Sequence, residues 1–174
     1  MRSIGFAARL VLAIATATGV VLAGSGPAVA TSAPVPSATP AAQPSATDGL
    51  DSVLELSAGS EFSLALRFDG TVYAWGYNRY GQLGHGDGLG LIKRLPIPVL
   101  GLDDIVGISA GYTHSLAVRS DGTVWSWGAN EHGQLGDGTL VSRSTAVQVV
   151  GLTSIVAASA GTYHNLALDR DGTV

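Results

Sequence analysis

The sequence contains no cysteine. That excludes a disulfide framework, a thiolate zinc site and a cysteine nucleophile, so stability has to come from packing. Positive charge is also scarce, with 9 Lys and Arg against 13 Asp and Glu. Beyond residue 30 the single adjacent basic pair is Lys93-Arg94. Nucleic-acid binding needs a basic face that displaces counterions from phosphates, so no nucleic-acid partner is expected. No window beyond residue 30 carries a helical apolar stripe, and none there is apolar for long enough to span a bilayer.

What is there divides into three zones. Arg2 and Arg9 precede a charge-free apolar stretch from Leu10 to Leu22, and Ala28-Val29-Ala30 supplies the small-x-small pattern of a signal-peptidase site. Thirteen residues in a helix span about 20 Å, short of a hydrocarbon core of roughly 30 Å. Residues 1–30 therefore read as a cleaved export signal and not as an anchor, which makes the protein secreted or exposed at the cell surface. Its removal leaves 7 basic against 13 acidic residues, a net of −6. Residues 31–49 carry Pro34, Pro36, Pro40 and Pro44 among Ala, Ser and Thr, a composition expected to stay extended as a linker. The linker leaves association with a cell wall open. Residues 50–174 are the zone that can build a core.

That zone repeats. Ser57–Gly84 laid over Ser109–Gly136 agrees at 18 of 28 positions without a gap, and Ser159–Val174 agrees with Ser109–Val124 at 10 of 16. The period is 52 residues and then 50, with the two extra residues between Gly84 and Gly101. Each copy reads as four short strands. In the first copy these are Val53–Ser57, then Phe62–Phe68 with Phe62, Leu64, Leu66 and Phe68 on one face, then Thr71–Gly76, then Ile97–Leu100. Asp69-Gly70 and Asp121-Gly122 read as two-residue type I′ hairpin turns. After residue 30 there are 20 glycines in 144 residues, in keeping with many tight turns. Four antiparallel strands recurring every fifty or so residues describe blades of a β-propeller. The predicted fold is all-β: blade 1 over about 53–104, blade 2 over about 105–154 and the start of a third over 155–174. The last copy stops at D-G-T-V, where the earlier ones run on into Y-A-W-G and W-S-W-G, so the sequence is expected to be part of a longer propeller.

The segments SAGYTHSLAV (109–118), DGTVWSWGANEHGQLGDGT (121–139) and STAVQVVGLTSIVA (144–157) resemble the regulator of chromosome condensation repeat. The resemblance covers residues 53–174 and implies a ring of usually seven blades. It places the repeat motif on Gly59, Asp69, Gly70, Trp75, Gly76, Asn78, Gly81 and Leu83. The second copy has Gly111, His114, Asp121, Gly122, Trp127, Gly128, Asn130, Gly133 and Leu135, and the third has Gly161 and His164. Two departures stand out: Phe62 where the other copies have His114 and His164, and Asn165 where the second copy has Ser115. The family's founding member is a guanine-nucleotide exchange factor for a nuclear GTPase, a partner that an exported acidic chain does not meet. Secreted β-lactamase-inhibitor propellers resemble this architecture too and offer an alternative, inhibition of a secreted enzyme. An exported bacterial member fits these features.

The motif residues read as structural. A ring of metal-binding histidines at His114 and His164 would not tolerate Phe62 at the equivalent position, so each imidazole is expected to hydrogen-bond turn backbone in its own blade. Trp75 and Trp127 are expected to pack between blades. His85 and His132, in glycine-rich loops, are expected to be solvated. No phosphate loop, calcium loop or catalytic constellation emerges, and no cofactor is implied. Tyr77, Arg79 and Tyr80 surround Asn78, whereas Ala129, Glu131 and His132 surround Asn130, so loop chemistry varies on a constant frame. Tyr77, Arg79, Tyr80, Glu131 and His132 are the candidate contacts to a protein partner, Tyr and Arg being frequent interface anchors.

Overall fold

A computed structural model describes residues 50–87 and 90–174; the expected export signal and linker lie outside the described residues. Ten strands follow one another: β1 (Val53–Ala58), β2 (Phe62–Arg67), β3 (Val72–Gly76), β4 (Lys93–Pro98), β5 (Ile105–Ala110), β6 (His114–Arg119), β7 (Val124–Gly128), β8 (Arg143–Gln148), β9 (Ile155–Ala160) and β10 (Asn165–Asp169). β1 to β4 form one antiparallel sheet in chain order, β5 to β8 a second, and β9 with β10 a two-stranded third. No helix occurs among the described residues. These are blades of a β-propeller, and the sheets described do not close a ring.

Register decides what each face carries. Glu55 pairs with Leu66, Ser57 with Leu64, Leu66 with Val72 and Leu64 with Ala74. One face of the first sheet thus holds Leu64, Leu66, Val72 and Ala74, all buried, with Glu55 and Ser57 on its innermost strand. The second sheet presents Ile108, Ala117, Trp125 and Trp127 to it, and these residues share one apolar core. The next joint is smaller: Val118, Val124 and Ile155 are buried with Ala158 and Ala167 against them. The inner strands β1, β5 and β9 lie side by side. Ser57 Oγ accepts from the Ala110 N–H at 2.9 Å, and one repeat later Ser109 Oγ accepts from the Ala160 N–H at 3.0 Å. Glu55 Oε2 accepts from the Ile108 N–H at 3.1 Å, and burial raises its carboxyl pKa against the pull of that bond.

The hairpin turns differ from expectation. Gly70 has φ of 79° and Gly122 of 84°, but Asp69 and Asp121 do not have positive φ, so these are not type I′ turns. The Gly70 N–H donates to Arg67 O at 3.0 Å and the Arg67 N–H to Thr71 O at 2.9 Å, a three-residue loop that ends on a left-handed glycine. The aspartate acts through its side chain: Asp69 Oδ1 accepts from the N–H and hydroxyl of Thr71, as Asp121 does from Thr123. These bonds hold both carboxyls below the usual carboxylate range. The turn has a second task, because the Ile105 N–H donates to Gly70 O and the Ile155 N–H to Gly122 O. A Cβ at Gly122 would meet Ser154 Cα at 2.8 Å, so the glycine is required by contact as well as by φ.

Other strand boundaries shift. β2 ends at Arg67 and Phe68 is exposed on the turn instead of joining the apolar face. The fourth strand starts at Lys93, well before Ile97. Lys93 Nζ reaches Asp87 Oδ2 at 2.6 Å and Arg143 Nε reaches Asp137 Oδ2 at 2.9 Å. The two pairs are equivalent, so the extra residues of the first repeat are His85 and Gly86. His85 is not solvated as expected: its side chain is 9% exposed and faces Asp87. Burial lowers its pKa, with Asp87 opposing.

Candidate functional site

Two kinds of loop meet at one end of the sheets. The first follows the innermost strand. The Gly111 N–H donates to His114 O and the Gly161 N–H to His164 O, both at 2.8 Å. The histidine ring folds back over its glycine, and a Cβ at Gly111 would collide with His114 Cε1. Phe62 covers Gly59 in the same way. This tight loop turns the two intervening residues outward, and in the second and third copies they include Tyr112 and Tyr163, each about half exposed.

The second kind of loop follows the third strand. Asn78 Oδ1 accepts from the Leu83 N–H at 3.0 Å, and Asn130 Oδ1 from the Leu135 N–H at 2.9 Å. Gln82 Oε1 accepts from the Tyr80 N–H and Gln134 Oε1 from the His132 N–H. The buried amides of the N-x-x-G-Q-L-G frame therefore satisfy the loop's own backbone, which fixes the two variable residues on its surface. In the second copy Asn130 Nδ2 also donates to Asp137 Oδ1. Burial raises the Asp137 pKa, but the Thr139 hydroxyl and Arg143 outweigh it and leave it at about 2.

Tyr80, Tyr112, Glu131, His132 and Tyr163 line one concavity of about 110 Å³. It draws on three consecutive repeats. The Tyr112 and Tyr163 rings are 6.5 Å apart at 68°, and the His132 and Tyr163 rings 4.6 Å apart at 60°. Of the residues singled out in the sequence, Tyr80, Glu131 and His132 are brought together here. Arg79 stands beside the hollow with its guanidinium 5.6 Å over the Tyr80 ring. Tyr77 is not part of the hollow; its N–H donates to Glu61 O at the strand end. Tyr112 and Tyr163 were not singled out. The signal was nonetheless present, since the two positions between the repeat glycine and histidine read Ser-Glu, Tyr-Thr and Thr-Tyr.

His114 does not bond turn backbone of its own blade as expected, and His164 is exposed. His114 Nε2 is 2.7 Å from Asn165 Oδ1 of the next repeat, and Asn165 Nδ2 donates to Gln134 O at 2.6 Å. With its amide nitrogen so engaged, Asn165 accepts from His114, which fixes the Nε2–H tautomer and leaves Nδ1 bare and buried. The bond joins two blades instead of closing a turn within one. Burial lowers the His114 pKa, the Asn165 bond opposes this, and nearby His164 adds to it. Trp127 is fully buried and donates from Nε1 to Gln82 O of the preceding repeat at 2.8 Å, whereas Trp75 is half-buried. No cluster of His, Asp and Glu that could hold a metal ion occurs among the described residues.

The family described as Regulator of chromosome condensation (RCC1) repeat matches residues 69–118 and 121–168, and a second description of that repeat matches 53–82 and 105–134. The probable E3 ubiquitin-protein ligase HERC6 of Homo sapiens is 46% identical over 83 residues, covering 47% of this chain and 8% of its own. The ultraviolet-B receptor UVR8 of Arabidopsis thaliana is 41% identical over 95 residues, covering 54% and 21%. The chain thus spans about a fifth or less of the length of these curated relatives. Among solved structures, Prp20p of Saccharomyces cerevisiae superposes with a TM-score of 0.61 at 26% identity over 70% of this chain and 32% of that one. Human WBSCR16 does so with 0.61 at 25% identity over 68% and 31%.

Proposed function

The chain belongs to the regulator of chromosome condensation (RCC1) repeat family, and from that premise we propose that it is an exported, non-catalytic protein-binding module. Its contact surface is the loop end that carries Tyr80, Tyr112, Glu131, His132 and Tyr163. One observation carries this reading. The frame residues of the loops are buried and repeat, while the side chains they hold outward differ between copies and converge in space. A rigid frame with variable, aromatic-rich loops is the usual construction of a recognition surface. The ligase activity in the name of HERC6 belongs to a chain of which the match covers 8%, so it is not carried over to these repeats.

Export rests on the pattern of residues 1–30, and a secreting host should yield a mature chain beginning at Thr31. Recovery of the intact Met1 form from membranes would count against it. Binding is tested with the full chain as bait in culture medium. A partner should be captured by the parent and by a control altered at the opposite turn, Phe68→Ala, but not by Tyr112→Ala/Tyr163→Ala. Equal capture by all three would end the assignment of this surface.

A further inference from the structure

The hollow has a composition that selects its ligand. Its walls include three tyrosine rings, one imidazole and one carboxylate, that of Glu131. The Tyr112 and Tyr163 rings meet edge to face at 68° and the His132 ring is tilted by 60° against Tyr163, so these rings do not stack flat on one another. Aromatic faces carry the negative side of the ring quadrupole, and rings angled about a small concavity next to a carboxylate favour a cation over a neutral or anionic group. A planar guanidinium suits such a place best, since it stacks on one ring and bonds the carboxylate with two of its N–H groups. The chain's own Arg79 lies over the Tyr80 ring at 5.6 Å, so an incoming guanidinium has the Tyr112 and Tyr163 rings and Glu131 to meet.

The charge of the lining points the same way: Glu131 is its one acidic side chain, and no Lys or Arg is among the lining residues. We propose that the hollow formed by Tyr80, Tyr112, Glu131, His132 and Tyr163 is an aromatic cage that receives an arginine side chain of the partner protein. The cage rests on the reading of this loop end as a binding surface and names the chemistry it recognises. It draws its walls from three consecutive repeats, so it exists only where they are stacked.

The probe is N-acetyl-arginine methylamide, titrated into the full chain and followed through the ring resonances of the tyrosines and histidines. The citrulline analogue, which has nearly the same shape without the charge, and glucose serve as comparison ligands. The arginine probe should shift Tyr80, Tyr112, His132 and Tyr163 together. Its affinity should fall about three- to tenfold in Glu131→Gln and be lost in Tyr112→Ala/Tyr163→Ala. The citrulline analogue and glucose should leave these resonances in place. Equal shifts with citrulline or glucose, or a Glu131→Gln protein that binds the arginine probe as the parent does, would overturn the cage. Glu131 is exposed, so its replacement leaves the fold intact for the comparison. Capture of a partner through Tyr112 and Tyr163 by a chain that ignores the arginine probe would reject the cage and keep the binding surface. Probe binding without partner capture would do the reverse.

Discussion

At the joint between the first two sheets the slot over the repeat glycine holds Phe62, and the corresponding position of the next repeat is Ser115. At the following joint the same two slots hold His114 and Asn165. Ser115 Oγ donates to Gln82 O at 2.9 Å, and Asn165 Nδ2 makes the equivalent bond to Gln134 O at 2.6 Å. Asparagine is longer than serine and carries its acceptor on a separate atom, so Asn165 also accepts from His114, while Phe62 asks for nothing. The difference extends to the third strands, where Ala74 of the first joint becomes Ser126, which donates to Leu135 O at 2.6 Å. At these slots the first joint has the Phe62 ring and the second a polar relay. Phe62 and Asn165 thus depart from the repeat at different joints, the first removing an imidazole and the second giving one an acceptor, since a buried imidazole N–H without an acceptor would be costly.

The largest break falls on the apolar joint. Trp127→Ala removes a fully buried indole and its bond to Gln82 O, and should cost about 3–5 kcal/mol in denaturant unfolding. Loss of less than about 1 kcal/mol would mean that the joint contributes little to stability. The relay is broken next. His114→Phe alone leaves Asn165 Oδ1 without its donor, and Phe62→His alone sets an imidazole N–H against the shorter Ser115, whose hydroxyl already donates to Gln82 O. Each should cost about 1–3 kcal/mol. His114→Phe/Asn165→Ser and Phe62→His/Ser115→Asn convert each joint into the other and should recover most of that loss. A coupling near zero in either double-mutant cycle would show the pairs to be independent.

How far the sequence discloses all this differs between levels. Strand number, order and repeat boundaries follow from period-2 patterning and self-alignment. So does the placement of Trp127 between blades, because a large aromatic next to a repeated glycine has no other apolar place to go. What sequence could not provide is adjacency across repeats. His114 and Asn165 are 51 positions apart, and the bond between them exists only once the sheets are stacked. The double duty of Asp69-Gly70 is hidden for the same reason: a hairpin turn is legible locally, but its contact with Asp104 is not. Tyr112 and Tyr163 sit one place out of register within their loops, which masks them in an alignment and leaves them together in space.

Acid should sharpen the contrast by a smaller amount. The imidazole of unfolded His114 titrates near its ordinary value of about 6.5, and burial lowers that pKa in the folded chain. Below about pH 6.5 the unfolded chain therefore binds more protons, and stability falls with pH until the folded pKa is reached. His85 adds in the same direction. In His114→Phe/Asn165→Ser the dependence of unfolding free energy on pH below 6.5 should be shallower by up to about 1.4 kcal/mol per unit, one proton's share. An unchanged slope would locate the titration elsewhere. Asp137 is not a confounder in that range, since with a folded pKa of about 2 against an ordinary 3.8 its contribution is lost only as pH falls below about 4.

The smallest effect is expected where the surface is most distinctive. Glu131 and His132 stand on a loop whose shape is set beneath them by Asn130 Oδ1 and Gln134 Oε1, and by Leu135, which is wholly buried. The frame does not depend on what these two residues are, as the first repeat demonstrates by placing Arg79 and Tyr80 on the same frame, held by Asn78 and Gln82. Glu131→Gln and the double exchange Glu131→Arg/His132→Tyr should therefore change unfolding free energy by less than about 0.5 kcal/mol, the usual range for surface positions. Asn130→Ala, one residue away, removes the acceptor for the Leu135 N–H and the donor to Asp137 and should cost several times more, about 1–3 kcal/mol. If the surface exchanges proved as costly as Asn130→Ala, the loop would be held by its variable residues, and the separation of frame from variable surface on which the proposed binding site rests would fail.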